Sequence, residues 1–212
     1  MAERGRFITL EGGEGAGKST LARTLCGLLQ ALGLNVDVTR EPGGTQNAEA
    51  IRELLVSGDA ARWSPMAETL LLYAARVDHI EGRIEPALVN GDWVICDRFS
   101  DSTRAYQGAA GALDEARIAA IDMASLNAFK PDLTLILDLD PAVGLERTRS
   151  RGEAVTRFER HDLSFHTALR EGFLRIAEKE AERCVVLDAS QTPAQLADQA
   201  FTVIAKHFSL TP

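Results

Sequence analysis

Gly12-Gly13-Glu14-Gly15-Ala16-Gly17-Lys18-Ser19 fits the pattern G-x-x-x-x-G-K-[ST] and follows the apolar run Phe7-Ile8-Thr9-Leu10. The motif works only between a strand and a helix, and this spacing predicts that setting. Glycines let the backbone curl so that successive N–H groups point inward and cradle phosphate oxygens. Leu21, Leu25, Leu28, Leu29 and Leu32 then repeat at helical spacing, which predicts a helix from Lys18 to about Leu32. Its N-terminal dipole would face the same phosphates. Lys18 is expected to reach the β/γ-phosphates and the Ser19 hydroxyl to ligate Mg²⁺, with Thr20 beside them. The stretch predicts nucleoside triphosphate binding.

Working outward, four more apolar runs alternate with helical patterns: Val36–Thr39, Trp93–Cys96, Leu133–Leu139 and Cys184–Leu187. Alternation of this kind predicts βαβ units and a parallel sheet covered on both faces. Ser64-Pro65, Asp140-Pro141 and Thr192-Pro193 each set a capping side chain before a proline at the first helical position. A long, mostly helical segment is expected from Ser64 to about Asn90, broken or bent at Pro86, and another helix from near Asp114 to about Phe129.

Composition narrows the class. The chain has 212 residues, 45% of them hydrophobic, and a formal net charge of −8. That predicts one domain over 1–212 and argues against a nucleic-acid surface, which is normally basic. No apolar run is long enough to span a membrane, and the N-terminal one is too short for a signal peptide. Cys26, Cys96 and Cys184 are far apart and odd in number, as reduced core cysteines of a cytoplasmic protein would be. The four histidines are expected at the surface.

Ligands of such sheets sit beyond the carboxyl ends of the strands, and every predicted strand here ends in charge. Glu11 follows the first and Arg40-Glu41 the second. Asp97-Arg98 follow the third, Asp138 and Asp140 the fourth, and Asp188 the fifth. Asp97 suits a magnesium-bound water, and Arg98 offers a planar fork to a second anion. Arg40-Glu41-Pro42-Gly43-Gly44 reads as the wall of a second substrate site. Arg147, Arg149, Arg151, Arg157 and Arg160 cluster around Gly152, as a lid over a transferring phosphoryl group would. A triphosphate cradle, an anion clamp and a cationic lid together suit phosphoryl transfer, which needs positioning and charge neutralisation above all. A phosphate acceptor needs no general base. A nucleoside kinase, or a kinase for another monophosphate, is the alternative. A GTPase switch would carry Asn-Lys-x-Asp, which the sequence lacks.

The order of motifs resembles bacterial thymidylate kinase over nearly the whole chain. The stretches are Glu11–Ser19, Arg40-Glu-Pro-Gly-Gly-Thr45, Tyr73-Ala-Ala-Arg76, Asp97–Gln107, Arg149-Ser-Arg-Gly-Glu153 and Asp188–Pro193. The resemblance implies a P-loop three-layer α/β fold with strand order 2-3-1-4-5, and ATP + dTMP → ADP + dTDP with Mg²⁺ in a homodimer. It implies Lys18, Arg98, Arg149, Arg151 and Glu11 as catalytic residues, with a lid over about 149–160. Arg98 would hold the dTMP phosphate and Arg76 the thymine edge. Glu11 would lie near the acceptor, with Arg40, Glu41 and Pro42 facing it. Ser102, Thr103, Tyr106 and Gln107 would shape the pocket around base and sugar. The Asp188–Pro193 loop would border adenine. Where the family usually stacks a Phe on thymine, this sequence has Leu72, while Tyr73 points about 100° away on a helix.

Overall fold

The structure, a computed structural model, describes residues 3–59, 62–111, 113–150 and 157–210. Its strands are β1 (Phe7–Gly12), β2 (Val36–Arg40), β3 (Trp93–Asp97), β4 (Leu133–Asp138) and β5 (Cys184–Asp188). All pair in parallel, in the order β2-β3-β1-β4-β5. β1 carries the P-loop and is central because both its edges are taken, by β3 and β4. Each of its residues is buried, as a strand covered on both faces requires.

Helices α1 (Lys18–Ala31) and α9 (Pro193–His207) pack together on one face. Their apolar stripes (Leu21, Leu25 and Leu29; Leu196, Ala200 and Ile204) meet Ile8, Leu10, Leu135 and Leu137. On the other face lie α3 (Pro65–His79), α4 (Glu85–Val89), α6 (Glu115–Leu126) and α8 (Leu163–Lys179), with a core around Phe7, Val94, Phe99 and Phe173. Further helices are α2 (Gln46–Val56), the short α5 (Ser100–Thr103) and α7 (Pro141–Ser150). No helix among the described residues is long and apolar enough to cross a membrane.

The expected caps form. The Ser64 and Thr192 oxygens accept from Ala67 N–H and Gln195 N–H, and Asp140 accepts from Ala142 N–H. The bend near Pro86 is a π-helical segment, Ile80–Ile84, ending just before the proline in α4. Widening the turn there accommodates a residue that cannot donate to the ladder.

Two departures bear on function. Strand β1 runs on to Gly12, so Glu11 is a strand residue paired beside Ile136 rather than a residue of the following loop. His79 and His166 are buried and only His161 and His207 reach the surface, because α3 and α8 turn the first two inward. Cys96 and Cys184 are buried free thiols, and Cys26 is half-buried.

The P-loop touches the start of α7 backbone to backbone. A Cβ on Gly144 would lie 2.3 Å from the Glu14 carbonyl oxygen, and one on Gly15 would lie 2.2 Å from the Gly144 oxygen. Helix propensity alone would make Gly144→Ala stabilising by about 1 kcal/mol. Steric overlap in a packed region costs about 1–3 kcal/mol, so the clash should win. Gly144→Ala is therefore expected to melt at a lower temperature and to bind ATP more weakly. A higher melting temperature with unchanged ATP binding would show that this approach is loose.

Candidate active site

Four strand ends converge at the P-loop rim. Gly17 caps α1 in the left-handed region, with φ 94°, and the loop glycines Gly12 and Gly15 have φ 131° and 68°. Those backbones suit residues without a Cβ. Lys18 is buried and curls back over the loop, donating to the carbonyls of Gly12 at 3.1 Å and Gly13 at 2.8 Å. Burial, and then the charge of Arg98, pulls its pKa down to about 8. The Ser19 hydroxyl donates to Asp97 Oδ2 across 2.6 Å, so the helix start and the end of β3 touch. Hydroxyl and carboxylate oxygens side by side at that point are hard donors of the type magnesium takes.

Arg98 is the joint of the site. Its φ is 73°, a left-handed backbone that non-glycine residues adopt at a cost of about 1–3 kcal/mol. The turn is fixed by Arg98 N–H donating to Leu10 O at 2.9 Å. The guanidinium then donates to Gly12 O at 2.9 Å, Ser102 Oγ at 3.2 Å and Glu14 Oε1 at 3.0 Å. Burial opposes its charge, but the Tyr106 oxygen and the Glu14 and Asp97 carboxylates outweigh that, and its pKa is raised. Glu14 also accepts from the Tyr106 hydroxyl at 2.6 Å. Burial pushes its carboxyl up, but Arg98 and Lys18 prevail and hold it at about 2.

Beyond Arg98 lies a cleft of about 200 Å³. Arg40, Glu41, Pro42, Leu72, Arg76, Arg98, Ser102, Thr103, Tyr106 and Gln107, the residues that the family resemblance sets around an acceptor, all line it. Ser19 and Asp97 border the same space. Leu72 contributes an aliphatic wall, while Tyr73 turns away and donates from its hydroxyl to Asp122 at 2.8 Å.

Two predicted residues sit differently. Glu11 does not line the cleft; it lies fully buried beneath, accepting from Phe99 N–H at 2.8 Å and Ser102 Oγ–H at 2.6 Å. From there it supports the Phe99–Ser102 wall of the cleft. Glu14 lies in the predicted triphosphate loop, and its carboxylate turns to Arg98 and the cleft. The sequence reading also missed Arg52, Val56, Phe99, Phe158 and Glu159 in the lining. Apolar Val56 and Phe99 resemble any core residue in a pattern. Arg52 is drawn to the cleft from α2 by Nη1 donating to Pro42 O at 2.8 Å, a contact between elements that no local pattern marks.

The arginine cluster divides. Arg147 donates to Ala189 O at 3.2 Å, beside the Asp188–Pro193 loop, and Arg149 is exposed at the end of α7. Arg151 and half of the predicted lid, residues 151–156, lie outside the described residues. Arg157 is buried, donating from Nε to Leu55 O at 2.9 Å and pairing with Glu68. Arg160 reaches Gly58 O at 3.4 Å. Both therefore brace the end of α2, a role the run of arginines did not reveal. Asp138 is taken by a bidentate pair with Arg170, and Asp140 by its cap.

Residues 10–200 match the family model described as thymidylate kinase. The chain belongs to the thymidylate kinase family. A thymidylate kinase of Caulobacter vibrioides is 59% identical over 186 residues, covering 88% of this chain and 89% of that protein. One from Afipia carboxidovorans is 52% identical over 198 residues, covering 92% and 87%. The crystal structure of thymidylate kinase from Ehrlichia chaffeensis superposes with a TM-score of 0.76 at 31% identity, covering 95% of this chain and 99% of that one. Family membership accords with the strand order β2-β3-β1-β4-β5.

Burial, and then the charge of Asp101, pushes the Glu11 carboxyl up from an ordinary 4.5 to about 8. A pKa raised on folding contributes stability that is complete below pH 4.5 and is lost as pH rises through 8. Glu11→Gln removes that titration while keeping a neutral side chain of the same size. The melting temperature of the natural protein should therefore fall relative to Glu11→Gln between pH 5 and pH 8.5. Parallel profiles for the two proteins would show that Glu11 does not hold its proton in this range.

Proposed function

We propose that this thymidylate kinase family member transfers the γ-phosphoryl group of ATP to the 5′-phosphate of dTMP, giving ADP and dTDP. One observation carries the reading: the guanidinium of Arg98 bonds to the P-loop at Gly12 O and to the cleft wall at Ser102 Oγ. A cation held in that position can bridge a triphosphate on one side and a monophosphate on the other. Glu14 occupies Arg98 with a carboxylate, which is the kind of anion a phosphate oxygen replaces.

In the reaction, an oxygen of the acceptor phosphate attacks Pγ and forms the new P–O bond. The bond from Pγ to the β,γ-bridging oxygen breaks, and its electron pair leaves with ADP. The acceptor oxygen is already anionic, so no side chain need remove a proton. Loop N–H groups and Lys18 neutralise the β/γ-phosphates, and Arg98 holds the acceptor in line. Ser19 and Asp97 would hold Mg²⁺, which screens charge on the β- and γ-oxygens when bound. Arg149 and Arg151, in a lid that begins at about residue 149, supply cations above the moving group and help exclude water. Arg40, Glu41, Pro42 and Leu72 bound the acceptor, and Arg76, Ser102, Thr103, Tyr106 and Gln107 select its base and sugar. Glu11 acts by fixing the Phe99–Ser102 turn. In this reading 1–212 is one kinase domain acting as a cytoplasmic homodimer.

A coupled ADP-release assay across nucleoside monophosphates tests the reading; dTMP is expected to give the highest kcat/KM. Arg98→Ala should raise KM for dTMP at least tenfold and KM for ATP by less than threefold, the loss of about 1.4 kcal/mol or more of acceptor binding. The opposite ranking would mean that the two sites are assigned backwards.

A further inference from the structure

Arg76 is almost wholly buried, at 2% exposure, yet lines the cleft. Its Nε donates to Glu41 Oε2 at 2.7 Å, and its Nη2 to Phe99 O and Thr103 Oγ1, each at 3.1 Å. Nη1 is buried without a partner. An orphaned guanidinium nitrogen is costly, and a ligand acceptor is what relieves it. The direction of that nitrogen depends on what holds the opposite edge of the guanidinium, and that is Glu41.

Glu41 is itself held from behind. His79, fully buried, places Nδ1 3.1 Å from Glu41 Oε1 and Nε2 2.7 Å from Thr39 Oγ1. A carboxylate only accepts, so Nδ1 carries the hydrogen that faces Glu41, and Nε2 shares the second hydrogen bond with the Thr39 hydroxyl. The ring needs room: a Cβ on Gly44 would fall 2.3 Å from its Nε2. The second glycine of Pro42-Gly43-Gly44 thus serves a histidine 35 residues further along the chain, as well as the turn (φ 97°).

We propose that His79 is a positioning residue for acceptor recognition. Through the chain Thr39–His79–Glu41–Arg76 it fixes the open Nη1 donor toward a carbonyl on the base of the monophosphate. This rests on the dTMP-kinase reading. His79 touches no cleft and bears no part in the transfer itself. Its effect is on selection of the acceptor, transmitted from β2 through α3.

The test measures kcat and KM for both substrates, with melting temperatures, in His79→Leu, His79→Asn and Thr39→Val. Each is also made in an Arg76→Met background. Loss of one such charge-assisted bond corresponds to about tenfold in affinity. His79→Leu should raise KM for dTMP about tenfold, with kcat and KM for ATP changed less than twofold. His79→Asn, whose amide can still donate to Glu41, should recover most of that loss. Thr39→Val, which removes only the outer hydroxyl, should raise KM for dTMP about threefold on the same scale. In the Arg76→Met background none of the three should raise it further, as coupled residues require. Equal damage to kcat and to ATP affinity, or unchanged dTMP KM in folded variants, would overturn the proposal. So would additive effects on top of Arg76→Met. If His79→Leu does not fold, Thr39→Val decides by the same criteria. Turnover of dTMP by the natural protein tests the underlying reading separately: its absence removes dTMP as substrate, whereas its presence with unaffected variants removes only the relay.

Discussion

The site depends on one backbone conformation, the left-handed Arg98 at the end of β3. An extended residue there would carry the side chain along the strand direction and away from the P-loop. The reversed φ brings the guanidinium back over Gly12 and Ser102, where it joins the two halves of the cleft. The surrounding bonds over-determine the conformation: Arg98 N–H to Leu10 O, Glu41 N–H to Asp97 O, and the Cys96 thiol to Arg98 O at 3.0 Å. Local strain held by a rigid sheet gives a cation fixed at the rim of the cleft.

A second constraint follows from the first. Burying Arg98, Lys18 and Arg76 in one region requires anions, and Glu14, Asp97 and Glu41 supply them. This local balance is compatible with a net charge of −8, because the acidic excess lies elsewhere on the chain. Support recedes in layers. Behind Arg98 stands Glu11 with Phe99 and Ser102; behind Ser102, Asp101 is clasped by Arg183 at 2.7 Å and Arg104 at 2.9 Å. Paired in this way, buried charges fix geometry rather than add stability.

Much of this was legible in the residues. The glycine-lysine-serine signature beside an apolar run determined β1, the loop and α1, since only a strand-to-helix junction makes those letters useful. The strand order came from the family resemblance, because apolar alternation predicts a parallel sheet without ordering it. Arg40, Glu41, Asp97 and Arg98 stood out because they sit at strand ends, where arginine is hard to explain otherwise; the helical lining residues Leu72, Arg76, Ser102, Thr103, Tyr106 and Gln107 came from the family resemblance. What escaped has a common cause: linear patterns do not show which way a side chain turns once the neighbouring element arrives. Glu11 passed for a loop residue because a glycine follows it, yet hydrogen bonding to β4 extends the strand by two residues beyond Leu10. His79 passed for a surface residue because nothing local marks the void that Gly44 leaves for it. Arg157 and Arg160 looked like more of the lid, and only the packing of α2 shows that they brace it.

The central claim is that a triphosphate site and a monophosphate site meet at Arg98 so that one group can pass directly between them. Calorimetric titration with adenosine and thymidine joined 5′ to 5′ by a pentaphosphate tests it most directly. The account predicts one linked molecule per chain, bound more tightly than ATP or dTMP alone and displacing both. A compound that displaces only one of the two nucleotides, or binds no tighter than that one, would contradict it.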